Sequence, residues 1–304
     1  MARQNDPPGS TQPEYHWIPE ILTDPPHPLE AWFEDFRAER KAARDKVPAG
    51  AKRSRAIVTM VHNEPVFFPI WLRYYSRFFG PGDMYVLDHD TDDGSTDGDG
   101  FVRIPMHRED FDNEWQVATM EAKQRELLET YDVVVVVDVD ELIVPTPSRG
   151  DLGEYLDRFD EPFVSCLGYE IVHLPDREPP LDPGRPILEQ RRFWTENATY
   201  NKSSITTEPA YWHPGFHRRR DGHFRGEPDL RLIHLHRVDY EMCLARHKRW
   251  AERDWSNLDM DEDRGFHNRI AGGEEFDRWF FTETGFEGFP LRIEEIPAEW
   301  RGAF

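Results

Sequence analysis

The sequence predicts an α/β protein in which helices flank a mostly parallel central sheet and the second half is mixed. The strongest observation is a run of five valines at 133–137, whose lack of polar alternation is typical of a strand buried on both faces. Strand-like and helix-like segments also alternate from residue 55 onwards, which indicates parallel strands joined by right-handed crossovers. The predicted strands are 55–61, 84–87, 101–106 and 133–137, and the predicted helices are 65–79 and 113–129.

The flanking segments differ in composition from this region, and they divide the chain into three parts. Residues 1–50 predict a Pro-rich arm and a short amphipathic helix at 28–46, and residues 51–256 predict the main domain. Residues 257–304 form an acidic, aromatic-rich tail, which we expect to pack on the domain or on a second subunit of a homodimer. Within the main domain, the further predicted elements are a short helix at 151–159, strands at 163–174, 187–194, 200–207 and 230–236, and a helix at 238–255.

The composition of the chain limits which partners it can bind and in which cellular compartment it is expected. The 304 residues carry a formal charge of -22, which argues against a nucleic-acid or anionic-membrane partner because both attract Lys and Arg. The only cysteines, Cys166 and Cys243, make neither a disulfide framework nor a metal-type spacing. The first residues lack an apolar leader and no run approaches 18 apolar residues, so we expect a cytoplasmic protein without a transmembrane segment.

Polar side chains follow the predicted strands at the points where those strands end. His62, Asn63 and Glu64 follow the first strand, and Asp88 follows the second. The fourth strand ends in Asp138-Val-Asp140-Glu141. Alternate strand residues point the same way, so Asp138 and Asp140 could aim two carboxylates at one spot.

Ligands of open α/β sheets bind beyond the carboxyl ends of the strands. Two carboxylates in that position suit Mg²⁺ or Mn²⁺, which bind oxygen ligands and bridge substrate phosphates. The alternatives are a solvated acidic strand end at Asp138 and Asp140, and a helix-capping role for Asn63 and Glu64.

The acidic loop at 88–99 also resembles a calcium-binding loop, with acids at Asp88, Asp90 and Asp92. However, Asp93 stands where an EF-hand has glycine, Asp99 stands where it has glutamate, and a predicted strand rather than a helix precedes the loop. A non-catalytic calcium-binding module is therefore a rival interpretation with weak support.

Taken in order, the three polar motifs resemble those of GT-A fold glycosyltransferases of family 2. These enzymes carry an Asn-Glu pair, an Asp-Gly-Ser-Thr-Asp-Gly turn, here at 93–98, and a DxD element, here Asp138-Val-Asp140. The resemblance covers residues 54–145 best and weakens to about 255. It implies a donor nucleoside-diphosphate sugar, with a UDP-sugar expected, and a glycan or small-molecule acceptor.

The resemblance also implies roles for individual residues. His62, Asn63, Glu64 and Asp88 would line the nucleotide pocket. Asp138 would face the ribose or the water shell of the metal. Asp140 would ligate Mn²⁺ or Mg²⁺ on the diphosphate, where the metal acts as a Lewis acid.

A sugar nucleotidyltransferase is the second rival, and it would be expected to carry a Gly-rich phosphate loop after the first strand. The chain has His62-Asn-Glu-Pro65 at that position. This segment offers no nest of free N–H groups to a phosphate.

The second half of the chain must supply the remaining groups of the site, which are a further metal ligand, cations for the diphosphate and a catalytic base. His234 and His236 share one face of a predicted strand, and His236 could complete the metal shell, although two structural histidines would look the same. Lys202 and the run at 218–220 could meet the diphosphate, although the run also fits a solvated turn. An inverting transferase needs a carboxylate base, and the candidates by position are Asp229, which we favour, Glu227, Asp221 and Glu170.

Overall fold

The computed structural model describes residues 38–42, 51–283 and 290–304, and it confirms an α/β architecture with a large mixed sheet flanked by helices. The strands of these residues join in one ten-stranded sheet. They are β1 Arg55–Val61, β2 Met84–His89, β3 Val102–Met106, β4 Val133–Val136, β5 Glu141–Pro145, β6 Phe163–Ile171, β7 Phe193–Glu196, β8 Lys202–Thr206, β9 Gly226–His234 and β10 Glu294–Glu295.

The helices of the main domain lie where the alternation of segments predicts them, with shorter ends, and two further helices lie in the tail, where none was predicted. The side chains of Asp112 and Asp239 accept hydrogen bonds from the backbone N–H groups of Trp115 and Met242 and so fix where the helices Asn113–Leu128 and Tyr240–Glu252 begin. The helices are α1 Phe67–Tyr75, α2 Asn113–Leu128, α3 Leu152–Asp157, α4 Tyr240–Glu252, α5 Asn257–Asp261 and α6 Gly273–Thr282. Residues 38–42 are helical and belong to the predicted N-terminal helix, while the arm at 1–27 lies outside the described residues.

The first half of the sheet is parallel. Along the chain, successive strands are first added on one side of β1 and then on the other. The order is β3-β2-β1-β4, so β2 and β3 are added on one side of β1 and β4 on the other. Such a reversal leaves a crevice beyond the carboxyl ends of the two strands that flank it, here β1 and β4. The fold therefore provides a ligand-binding position directly above two of the three polar motifs.

The valine run is buried on both faces, as the sequence predicts. Val133, Val135 and Val137 pack with the aromatic side chains of α1, including Trp71. Val134 and Val136 face the opposite layer, where they meet apolar residues of α2. Because alternate strand residues point to opposite faces, one apolar run completes two cores.

The second half of the sheet is mixed, and two strands in it, β5 and β10, were not predicted. β4 ends at Val136, the chain turns at 139–140, and Glu141 begins β5, which pairs antiparallel with β9. The sequence interpretation that Asp138 and Asp140 continue one strand is therefore wrong, because the turn and not strand alternation orients them. The strand predicted at 187–194 is also shorter, since Ile187–Glu189 forms a 3-10 turn before β7.

The described residues of the tail contact the main sheet and its helices. Phe276, Trp279 and Phe280 of α6 are buried against Val172 and Cys243, and β10 pairs with β7. Cys166 and Cys243 are both buried free thiols. The tail aromatics Phe286 and Phe289 lie outside the described residues. In the described part of the chain, no helix is long and apolar enough to cross a membrane.

Glu121 is a buried carboxyl group of α2 whose ionisation should oppose folding. Burial raises its pKa to about 7, although its hydrogen bond from the Trp212 N–H (2.8 Å) acts in the opposite direction. Because the folded-state pKa lies above the unfolded one, Glu121 contributes stability below about pH 4.5 that is lost as the pH rises towards 7. We expect Glu121→Gln to raise the free energy of unfolding by about 1 to 3 kcal/mol at pH 8 and much less at pH 5.

Urea unfolding of the parent and of Glu121→Gln at the two pH values tests this expectation. The glutamine keeps an oxygen that can accept the Trp212 N–H, so the comparison isolates the charge. An effect of equal size at both pH values would show that ionisation of Glu121 does not limit stability.

Candidate functional site

A cavity of about 540 Å³ opens beyond the carboxyl ends of β1, β2 and β4. Antiparallel pairing brings the second half of the chain to the same place, because the register of β4 with β8 sets Lys202 opposite Asp138 and that of β5 with β9 sets His234 opposite Glu141. Predicted site residues in the cavity wall are His62, Glu64, Asp138, Asp140, Lys202 and His236.

Asp140 is almost fully buried at the inner wall and is surrounded by cations. Its Oδ2 contacts Nη1 of Arg246 and lies 3.5 Å from Nε2 of His234. Burial raises the pKa of Asp140, but the positive charges of Arg246 and His234 outweigh this effect and hold the pKa below its usual value. Asp140 is therefore an ionised acceptor, with no hydrogen bond to Oδ1 among the described residues.

Asp140, His234 and His236 form a group that can hold a metal ion, since one ligand atom of each lies within 4.8 Å of the others. One carboxylate and two imidazoles suit a transition-metal ion such as Mn²⁺ better than Mg²⁺, which prefers oxygen ligands. When such an ion binds, Arg246 would have to share or release Asp140, and His234 would have to give up its second ring proton. Asp138, predicted as a ligand, is not a member of this group.

The hydrogen bonds of the two histidines fit this role. His247 Nδ1 lies 3.1 Å from the Ile270 carbonyl oxygen and must donate to it, so its Nε2 accepts from His236 Nε2 at 2.8 Å. His236 consequently keeps a lone pair on Nδ1, and burial lowers its pKa so that the ring is neutral. His234 Nδ1 is oriented by Glu170 at 3.2 Å, a carboxylate–histidine arrangement that supports metal ligands.

Arg246 of α4 joins the first polar motif to the third and was not anticipated from the sequence. Glu64 Oε1 accepts from Arg246 Nε at 2.8 Å and lies 2.6 Å from Nη2, while Nη1 reaches Asp140. The guanidinium lies between the rings of Phe67 and Trp250, at 4.5 and 4.2 Å. Burial raises the pKa of Glu64 to about 7, and its Oε2 has no hydrogen-bond partner among the described residues.

Lys202 lines the cavity, but its positive charge is already paired with two carboxylates of the protein. Its Nζ lies 2.5 Å from Asp138 Oδ2 and 2.6 Å from Glu141 Oε1, and the lysine is 3 % exposed. Glu141 Oε2 in turn accepts the Asp138 N–H at 3.0 Å. The predicted contact of Lys202 with a diphosphate would require it to leave two carboxylates.

Asn63 and Asp88, predicted to line the nucleotide pocket, instead organise the acidic loop and are absent from the cavity wall. Asn63 exchanges hydrogen bonds with Asp92, and it does not cap α1, whose first turn has no side-chain cap. Asp88 is 3 % exposed and accepts from Thr91, Thr96 and Arg103. These local contacts already provide hydrogen-bond partners for the carboxylates of Asp88 and Asp92, which weakens the calcium interpretation.

Asp229, favoured as the base, lies at the far end of β9. Its neighbour Leu230 pairs with Pro145, and its carboxylate lies 2.6 Å from Arg149 Nη2. The five residue-to-residue steps from Asp229 to His234 span roughly 17 Å of strand. The choice of Asp229 is therefore not supported, because the antiparallel β5–β9 pairing carries it away from the cavity. The alternatives Glu227, Asp221 and Glu170 are not in the cavity wall either.

The loop at 213–218 covers one side of the cavity in a strained conformation. Phe216 is buried and adopts a left-handed φ of 61°, and it follows Gly215, whose φ is 83°. His217 is half-buried, with its Nδ1 atom shielded from solvent and unbonded among the described residues, and desolvation keeps its pKa well below the usual value. Retained strain of this kind is characteristic of functional loops. The three arginines at 218–220 have different environments. Arg218 lines the cavity. Arg219 forms an ion pair with Asp221, and Arg220 forms one with Glu114.

Comparison with models of known protein families found no match to this chain. Comparison with curated proteins found none either.

Proposed function

We propose that the protein is a metal-dependent glycosyltransferase of the GT-A type, which transfers a sugar from a nucleoside-diphosphate sugar to an acceptor hydroxyl. The observation that carries this proposal is the convergence of Asp140, His234 and His236 at the β1–β4 switch point. It agrees with the order of the three sequence motifs, although Asp138 and Asp140 lie on a turn.

The residues of the cavity have distinct roles in this proposal. Asp140, His234 and His236 would hold a divalent cation, and such a cation would supply Lewis acidity for departure of the diphosphate. Glu170 and His247 orient the two imidazoles. By stabilising the negative charge of the leaving diphosphate, the metal ion and its ligands would favour a transition state in which positive charge develops on the sugar ring, as in glycoside hydrolysis.

The acceptor must meet a base other than the four proposed from the sequence. Asp138 and Glu114 are carboxylates of the cavity wall that remain partly exposed, at 33 and 36 % of their side-chain area. They replace Asp229 as the candidates for removing the hydroxyl proton. Inversion at the sugar carbon remains the expected outcome.

The nucleotidyltransferase alternative is less well supported. The segment after β1 places the side chains of His62 and Glu64, rather than backbone N–H groups of a glycine loop, in the cavity wall. That arrangement offers no nest for a triphosphate.

The test is turnover of a panel of nucleotide-sugars by the full chain. We expect UDP-sugar hydrolysis or transfer that disappears on chelation and returns with Mn²⁺ more completely than with Mg²⁺, because two of the three ligands are imidazoles. Magnesium that restores full activity would contradict the assigned ligand set. Absence of both turnover and nucleotide binding with Mn²⁺ present would overturn the proposal.

A further inference from the structure

Arg253 differs from three other cations of the cavity wall, Lys202, Arg246 and Arg264, in its lack of a nearby carboxylate. Lys202, Arg246 and Arg264 each have at least two carboxylates within 4.0 Å. Arg253 has none within that distance among the described residues, although it lies directly after α4 in a chain with 59 acidic residues. Glu64 and Asp90 act on it only from farther away.

The guanidinium of Arg253 is nevertheless held in place. Its Nη2 donates to His89 Nδ1 at 3.0 Å, and its carbon lies 4.6 Å from the centre of the Phe111 ring. His89 can accept because its Nε2 donates to the Arg108 carbonyl oxygen at 3.1 Å. The Nε and Nη1 groups of Arg253 have no hydrogen-bond partner in the described part of the chain, so a positioned fork of donors remains for a ligand.

The electrostatics of this position favour an anion. Burial lowers the pKa of Arg253 to about 10, which still leaves the side chain charged at neutral pH. A charge that is partly withdrawn from water without a counter-ion is unfavourable. A ligand oxyanion would provide the missing partner, and the planar guanidinium matches the oxygens of a phosphate.

We propose that Arg253 binds a phosphate oxyanion of the ligand in this cavity. The inference rests on the proposed function in one respect, because there the oxyanion belongs to the diphosphate of the donor. It transfers to Arg253 the role that the sequence suggested for Lys202. His89 and Phe111 are then positioning residues, which hold the guanidinium in place.

Calorimetry with two probes, UDP and inorganic pyrophosphate, each with Mn²⁺, tests the assignment. We expect Arg253→Met to weaken binding of both probes by about 10- to 100-fold, as for loss of a charge-assisted hydrogen bond. Arg253→Lys, which keeps the charge but not the fork, should lose less. Lys248→Met is the matched control, since it removes one positive charge from an exposed position of α4 and should leave binding unchanged. Thermal unfolding of each variant verifies that the fold is intact.

The outcomes separate this inference from the proposed function. If the parent and Arg253→Met bind UDP equally, Arg253 is not the phosphate contact and the proposed function stands. If the parent binds pyrophosphate through Arg253 but shows no preference for UDP, the phosphate subsite stands and the nucleotide donor is wrong. If the parent binds neither probe, both proposals are overturned.

Discussion

Asp140→Asn is expected to reduce turnover of a UDP-sugar by about 10³-fold or more, since the contribution of a metal ion to charge stabilisation is several kcal/mol. The same change should weaken Mn²⁺ binding by at least about 100-fold, because it removes the one anionic ligand of the group. Asparagine preserves the volume of the side chain and an oxygen for Arg246. Electron paramagnetic resonance of free Mn²⁺ measures the affinity independently of activity.

Asp138→Asn is the control for this prediction. Asp138 binds Lys202 and is not within the group of Asp140, His234 and His236, so its loss should change Mn²⁺ affinity much less. If Asp140→Asn binds Mn²⁺ and turns over as well as the parent, the assigned metal role is wrong. Equal losses of Mn²⁺ affinity in both variants would instead restore Asp138 as a ligand, whereas a loss of turnover alone in Asp138→Asn would agree with its candidate role as the base.

Arg246→Met is expected to lower the free energy of unfolding by about 3 to 5 kcal/mol at pH 8, the usual effect of breaking a buried ion pair. The variant leaves Glu64 and Asp140, 4 and 5 % exposed, without their main counter-charge. The loss should shrink as the pH falls below 7. Glu64 already has a pKa of about 7, and without Arg246 it takes up a proton more readily and removes one uncompensated charge.

Urea unfolding at pH 5.5 and pH 8 measures this effect, with Lys248→Met as a control that should differ from the parent by less than about 0.5 kcal/mol. A double variant with Glu64→Gln should recover part of the loss at pH 8, because only one buried carboxylate then lacks a partner. A loss that does not depend on pH and is not relieved by Glu64→Gln would assign the effect to packing between Phe67 and Trp250 alone.

The parallel half of the sheet could be predicted because its signals are local. The valine run indicates a strand covered on both faces, and the turn residues between apolar segments mark where elements end. The end of the valine run was less predictable. Asp138-Val-Asp140 fits a continuing strand by pattern alone, and only the pairing of β5 with β9 requires the chain to turn at 139–140.

The sequence predicted which residues line the cavity better than it predicted which of them interact with one another. His62, Glu64, Asp138, Asp140, Lys202 and His236 all reach the cavity wall. Their partners could not be predicted, since Arg246 is 182 residues from Glu64 and 106 from Asp140 along the chain. Asn63 and Asp88 have the right position after their strands, but their side chains are used within the acidic loop.

The sequence by itself determined which segments form the parallel strands and that polar groups follow them, because hydrophobic periodicity and strand polarity act within a few residues. Only the tertiary structure decided which of those groups lie close enough to share a metal ion, which carboxylates are neutralised, and that Arg253 in the cavity wall has no carboxylate partner among the described residues. Those properties depend on burial and on Coulomb interactions between residues far apart in the chain, and no local pattern encodes them.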